Sequence, residues 1–396
     1  MSVRTGRQFL SIPGPTTVPE PVLTAMSQPA IDIYQADFPP RTDGLLKNLQ
    51  KWFCTKGHTF IYIANGHGGW EAALSNTMNR GEKVLVLESG LFANGWGAYA
   101  DEMGLEIEIL PGSYRDAVDP AAVKARLEAD TDGEIKAVLM VQVDTASSIK
   151  NDVQAVGEAI RESGHDALFM VDTIASLGTM EFKMDEWGVD VAVSASQKGL
   201  MSSPGLAFNA AGPRAWERHQ TANMKTGYWD WTFRTGDIHY QKYAGTPPEH
   251  LIFGLLKSFE LLNEEGMEAA FERHRLLAGA TWACVEKWAE AGALYLNIQK
   301  PEERASAVTT VMMHDTYSPE PLLAYCRDKC NVIVGITIGA LEGHGFRIAH
   351  MGYANAPMLF GTLGALEMGL QALNIPHGKG GVQAAIQYLA DNVKAD

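Results

Sequence analysis

The chain has 396 residues, of which 46% are hydrophobic and 20% charged, with a formal net charge of −15 at pH 7. That length exceeds one compact core of ordinary size and predicts two domains. The acidic balance argues against nucleic acid or an anionic membrane surface as a partner, since both require a basic face, but leaves anionic small molecules open.

Four cysteines, Cys54, Cys284, Cys326 and Cys330, are too few for a disulfide framework in so long a chain. Cys326 and Cys330 would share one helix face, but no further ligands accompany them, so they read as structural and no metal is expected. The N-terminal MSVRTGRQFLSIPGP lacks the apolar core of a signal peptide. No run reaches the roughly 18 apolar residues that span a bilayer. The expected setting is a reducing cytoplasm.

After the Pro/Gly arm SIPGPTTVPEPV, β-rich runs alternate with helical ones. HTFIYIA leads to the helix GWEAALSNTM, EKVLVLES to WGAYADEMG, and LEIEILPG to DPAAVKARLEAD. IKAVLMVQV is followed by DVQAVGEAIRESG, then by ALFMVDT and VDVAVSAS. Runs this apolar fit strands covered on both faces of a mostly parallel sheet, an α/β architecture. The helical stretch from His250 to Gly292 then changes the pattern. ALYLNIQ, AVTTVMMHD, EPLLAYCRD, NVIVGIT, GFRIAHMG and a terminal helix read as a smaller α+β unit. The expected division is an arm over 1–21, a large domain over 22–262 and a small domain over 263–396.

Ligands of open α/β sheets bind at the carboxyl ends of the strands. IANGHGGWEAAL is a glycine-rich turn from strand to helix, which offers backbone N–H groups and a positive helix end to a phosphate. Glu71 stands where a dinucleotide fingerprint has its third glycine, and no Lys-Ser/Thr follows as in a P-loop. A turn that needs glycine only for its geometry explains the same residues. ALFMVDT ends an apolar strand on Asp172, which could equally cap a helix. Lys198, 26 residues further on, ends another apolar run between small residues. Lysine is rarely placed there without a task. A phosphate turn, a strand-end aspartate and a strand-end lysine together suit pyridoxal 5'-phosphate. The lysine forms a Schiff base, the acid pairs with the pyridinium nitrogen, and the helix end holds the phosphate.

MDEWGVDVAVSASQKGLMSSPGLAF resembles the lysine segment of the class V, fold-type I aminotransferases, nearest the serine–glyoxylate and alanine–glyoxylate branch. The likeness runs from IPGPTTVPE through GHGGWEAAL, VDTIASLG and SQKG to FRIAHMG. It implies a large domain with a mostly parallel sheet and a smaller C-terminal α+β domain. It implies that Lys198 is the catalytic lysine and Asp172 the ring-nitrogen partner, with Gln197, Gly66 and His67 at the phosphate. Phe92 matches the aromatic residue over the cofactor ring, although core packing also explains it. Thr145 matches a Ser/Thr near the cofactor. In YAGTPP, Tyr243 and Thr246 match residues that reach the partner subunit's phosphate, which implies a homodimer; an ordinary turn is the other reading. Arg347 in FRIAH matches the arginine that takes the substrate carboxylate through two parallel hydrogen bonds, with a structural salt bridge as the alternative.

Two departures bear on the substrate. Ile33, Tyr34 and Gln35 stand where many relatives carry a His-Arg-Ser type segment, which puts Tyr34 near the substrate pocket, and Asp144 replaces a common glutamate. The resemblance implies ping-pong transfer from a small amino acid of the serine, alanine or aspartate type to a 2-oxo acid, glyoxylate first and pyruvate second. Pyridoxamine–pyruvate transfer and a lyase on the same fold are the alternatives.

Overall fold

A computed structural model describes residues 2–34 and 37–394. A short strand, β1 (Phe9–Ser11), precedes helices α1 (Glu20–Met26) and α2 (Phe38–Phe53). Alternation then begins with β2 (His58–Ile63), α3 (Gly66–Thr77), β3 (Lys83–Leu87), α4 (Leu91–Glu102), β4 (Glu106–Leu110), α5 (Pro120–Glu128) and β5 (Ile135–Val141). A small hairpin, β6 (Val143–Asp144) and β7 (Ile149–Lys150), leads into α6 (Val153–Ser163) and β8 (Leu168–Asp172). β9 (Val191–Ala195) and β10 (Leu206–Ala211) complete the first sheet, whose order is β2-β10-β9-β8-β5-β3-β4.

The five strands from β9 to β4 run parallel, as the apolar runs predict. Alternate residues of β5 and β8 enter cores on opposite faces. Val138 and Phe169 pack on one side with α2, α5, α6 and α9 (Glu249–Glu265), while Leu139 and Met170 pack on the other with α3 and α4. Burial of both faces is why these strands show no polar alternation. The edge strand β4, by contrast, has only exposed and half-buried residues. β10 is an addition to the expected layout: LAFNAA pairs antiparallel with both β2 and β9. Its alanines carry little strand signal, and they are fully buried because α3 lies close above them through Gly69, where a β-carbon would stand 3.5 Å from Ala207 Cβ.

Helices α7 (Pro213–Thr221), α8 (Trp231–Arg234), α9 and α10 (Met267–Ala289) connect to a second, five-stranded sheet. It comprises β11 (Leu294–Leu296), β12 (Val308–Met313), β13 (Val332–Ile336) and β14 (Gly345–Ala349), with α11 (Glu320–Cys330), α12 (Ala356–Ala372) and α13 (Gly381–Asn392) packed on it. The fifth strand is β1, which pairs parallel with β13, Phe9 opposite Val332. The N-terminal arm is therefore part of the second sheet. Among the described residues no helix is long and apolar enough to cross a membrane.

Gly157 shows how tightly α6 lies on the first layer: a β-carbon there would sit 2.1 Å from the Trp187 carbonyl oxygen. Gly157→Ala should lower stability by about 1–3 kcal/mol through overpacking, although alanine alone favours a helix by ~1 kcal/mol. Urea unfolding of the two proteins checks the sign.

Candidate active site

A cavity of about 320 Å³ opens where β5, β8 and β9 end, and Asp172, Lys198, Trp70, Phe92 and Thr145 are among the residues that line it. A larger groove of about 670 Å³ lies at the opposite ends of β5 and β8. Its charged side chains pair with protein groups: His165 with Asp130 at 3.0 Å, Arg214 with Asp190 at 2.9 Å, and Arg218 with Glu82. The smaller cavity holds the chemistry.

Asp172 is the last residue of β8 and is 3% exposed. Oδ1 accepts the Ile174 amide at 2.6 Å, and Oδ2 accepts the Trp70 indole N–H at 2.7 Å. Burial outweighs these bonds and pushes the carboxyl up to about 7. Lys198 follows β9, and its amine donates to the Pro13 carbonyl of the arm. Desolvation, with the nearby Arg347 charge, pulls the amine down to about 8 against the opposing pull of Asp172 and Asp144. The arm is laced to this turn: the Thr16 amide donates to Gln197 O at 3.1 Å and its hydroxyl to Lys198 O at 3.1 Å. Gly14, at φ +98°, lies against the lysine so closely that a β-carbon would stand 2.6 Å from Lys198 Cε.

At the opposite wall Asn65 caps α3, its side chain accepting the amides of His67 and Gly68. The His67 ring stacks on Tyr99 with 5.4 Å between centroids. Burial, and then the Lys198 charge, hold His67 below the usual histidine range. A β-carbon on Gly66 would lie 2.3 Å from Ile174 Cδ1, so a larger residue there would push the Ile174 side chain from its place beside the Asp172 turn.

Asp144 is wholly buried and raised by that burial, although its carboxylate accepts the amides of Phe92, Ala93 and Ala146 at 2.8–3.1 Å. It anchors the first turn of α4 and with it Phe92. Arg347, on β14 and 7% exposed, crosses to this side: Nη1 donates to Thr145 O at 2.8 Å and Nε to Ile336 O at 2.5 Å. Burial lowers it to about 10, so it remains a cation at neutral pH. No carboxylate bonds it, so the structural salt bridge considered from sequence is absent among the described residues.

Residues 9–340 match the family model for class V aminotransferases. A serine–glyoxylate aminotransferase of Methylorubrum extorquens is 34% identical, over 98% of each chain. An L-aspartate–glyoxylate aminotransferase of Paracoccus denitrificans is 32% identical, over 99% of this chain and 98% of its own. The chain belongs to the class V aminotransferases. The crystal structure of a ureidoglycine–glyoxylate aminotransferase from Bacillus subtilis superposes with a TM-score of 0.88 at 26% identity, covering 98% of this chain and 99% of that one.

The aminotransferase uses pyridoxal phosphate, and the cavity fits it. One wall gives a buried carboxylate and another an amine of lowered pKa. Phe92 and Ile174 supply apolar surface, and Gln197 Oε1 is buried with no partner among the described residues. Thr145, Gly66, His67 and Gln197 all line the cavity as expected. Tyr34, Tyr243 and Thr246 do not line it within this chain. Tyr34 is 72% exposed, and Gln35 lies outside the described residues. The Tyr243 ring is fully buried with its hydroxyl 2.7 Å from Thr42 Oγ1, while Thr246 is exposed.

Sequence reasoning missed Trp70, Asn65, Ile174 and the arm residues Pro13 to Pro15. Trp70 lies one helical turn beyond Gly66 and Ile174 lies two residues beyond Asp172, so helical spacing and proximity were the available signals. Nothing in the sequence of the arm indicated that it would cross Lys198. The lowered Lys198 pKa gives a direct expectation. Acylation of this amine in cofactor-free protein, followed by mass spectrometry, should rise with an inflection near pH 8, because the neutral amine is the nucleophile. An inflection above pH 10 would show an ordinary solvated lysine.

Proposed function

We propose that this aminotransferase moves the amino group of a small 2-amino acid to a 2-oxo acid, with glyoxylate as the first acceptor, by a ping-pong mechanism. The observation that carries the reading is one cavity where Lys198 and Asp172 meet, with the unpaired cation of Arg347 bonded to the cavity residue Thr145. Full-length relatives named for glyoxylate support the acceptor, and their differing donors leave serine, alanine and aspartate to be compared.

Pyridoxal phosphate, when bound, supplies an aldehyde that takes up the amino group and a ring that accepts the electron pair left at Cα. Lys198 is the residue to hold it covalently, and Gln197, Gly66 and His67 the ones to hold its phosphate end. Phe92 and Ile174 would cover its ring. Asp172, reluctant to ionise alone, gains its charge opposite a protonated ring nitrogen. Lys198 Nζ, held close to its neutral form, would be the group to accept the substrate Cα proton at neutral pH. Arg347 binds the substrate carboxylate; its Nε and Nη1 bonds to backbone carbonyls fix the guanidinium plane and so the direction of the Cα–H bond. Asp144 acts on the backbone of α4 instead of on substrate.

We further propose a homodimer in which Thr246 and Tyr34 serve the partner's cavity, while Tyr243, buried in its own chain against Thr42, holds the segment that presents Thr246. Supporting this, His239 packs edge-on against Phe38 and hydrogen-bonds Thr42, tying the 238–246 segment to α2, and Ile238 and Tyr240 are left exposed. All four cysteines are free, which favours the cytoplasm.

The deciding experiment adds one donor at a time, without acceptor, to the pyridoxal-phosphate-loaded protein. One of serine, alanine or aspartate should bleach the visible band in a single turnover, and glyoxylate should restore it. Continuous release of ammonia and keto acid without acceptor would mean a lyase instead. Turnover by cofactor-free protein with pyridoxamine and pyruvate would favour the pyridoxamine alternative. Lys198→Ala should abolish exchange. Arg347→Ala should lower kcat/KM for the donor by about 100-fold, the loss of charge-assisted hydrogen bonds to a carboxylate.

A further inference from the structure

We infer that Trp70 is a positioning residue for Asp172: its indole N–H, fixed in a box of aromatic rings, holds the carboxylate that serves the cofactor's ring nitrogen. The inference rests on the role proposed above for Asp172.

Trp70 lies on α3 and is 1% exposed. Its Nε1–H donates to Asp172 Oδ2 at 2.7 Å, while the Ile174 amide holds Oδ1 at 2.6 Å. One donor on each oxygen sets the plane of the carboxylate and leaves each oxygen further capacity to accept. The indole has no room to turn away. Trp96 stacks on it at 6.0 Å with 14° between planes, and His67 and Tyr99 meet it edge-on at 4.6 Å and 5.7 Å. The two stacked indoles differ in one respect that the chemistry can use. Trp96 Nε1 is buried with no acceptor among the described residues, whereas Trp70 Nε1 is spent on the site.

A donor to a carboxylate favours its charged form, and inside a low-dielectric cavity that preference is strengthened. Without the indole N–H, a proton shared between Asp172 and the ring nitrogen moves toward Asp172. The ring nitrogen loses its proton and the ring becomes a weaker electron acceptor.

The test uses Trp70→Phe, Trp96→Phe and Asp172→Asn, each loaded with pyridoxal phosphate labelled with ¹⁵N in the ring. In Trp70→Phe the ring ¹⁵N resonance should move from the pyridinium position toward that of neutral pyridine. The cofactor Kd should rise about tenfold, in the range of one hydrogen bond to a charged group, and kcat should fall more than KM changes. Trp96→Phe disturbs the same box without removing a bond to Asp172, so its resonance should stay at the wild-type position. An unmoved resonance in Trp70→Phe, or equal movement in both tryptophan variants, overturns the inference. If Asp172→Asn also leaves the resonance unmoved, the reading of Asp172 itself fails and takes this one with it. Should Trp70→Phe not fold, the wild-type protein labelled with ¹⁵N-tryptophan carries the test. One downfield indole N–H should shift on cofactor loading, and a spectrum in which none shifts overturns the inference.

Discussion

Burying an amine and a carboxylate in one small cavity pushes both toward their neutral forms, because each ion loses several kcal/mol of hydration. Lys198 and Asp172 stand under that constraint at the ends of neighbouring parallel strands. The neighbouring groups restrain this effect at the carboxylate and reinforce it at the amine. The Trp70 and Ile174 donors limit the rise at Asp172, while Arg347 adds to the depression at Lys198. A lysine near pH 8 and a carboxylate near 7 are poised for proton transfer at neutral pH, which salt-bridged surface groups are not.

The same cavity is also where the two sheets and the arm meet. Arg347 belongs to the second sheet but donates to Thr145, in the turn of the hairpin beyond β5. Asp144, one residue away, holds the start of α4 and therefore Phe92. The arm joins the second sheet through β1 and then passes over Lys198, tied by Thr16 to the carbonyls of Gln197 and Lys198. Arg347, the aromatic wall at Phe92 and Lys198 are therefore each tied to neighbouring backbone by side-chain hydrogen bonds, which keeps their separations fixed.

Asp144 shows why a residue difference need not mean a different substrate. With its carboxylate 2.8–3.1 Å from three amides, it is a buried cap. Gly90 lets it in: a β-carbon there would lie 2.3 Å from Asp144 Cγ. Tyr34 differs in kind, since its ring is exposed.

Much of this was legible in the sequence. Uninterrupted apolar runs mark strands buried on both faces, so the parallel core of the first sheet and the strand ends carrying Asp172 and Lys198 follow from pattern alone. Lysine and aspartate at such ends, with a glycine turn before a helix, also specify the cofactor, because few other tasks justify the cost of burying them. The sequence could not determine what crosses between elements distant in the chain. That β10 inserts antiparallel beside β9, that Trp70 spends its N–H on Asp172, and that Tyr243 turns to Thr42 are decided by packing. These contacts join residues tens to hundreds of positions apart, and hydrogen-bond partners at that range are chosen by the assembled sheets and helices, whereas strand and helix patterns are set by neighbours a few residues away.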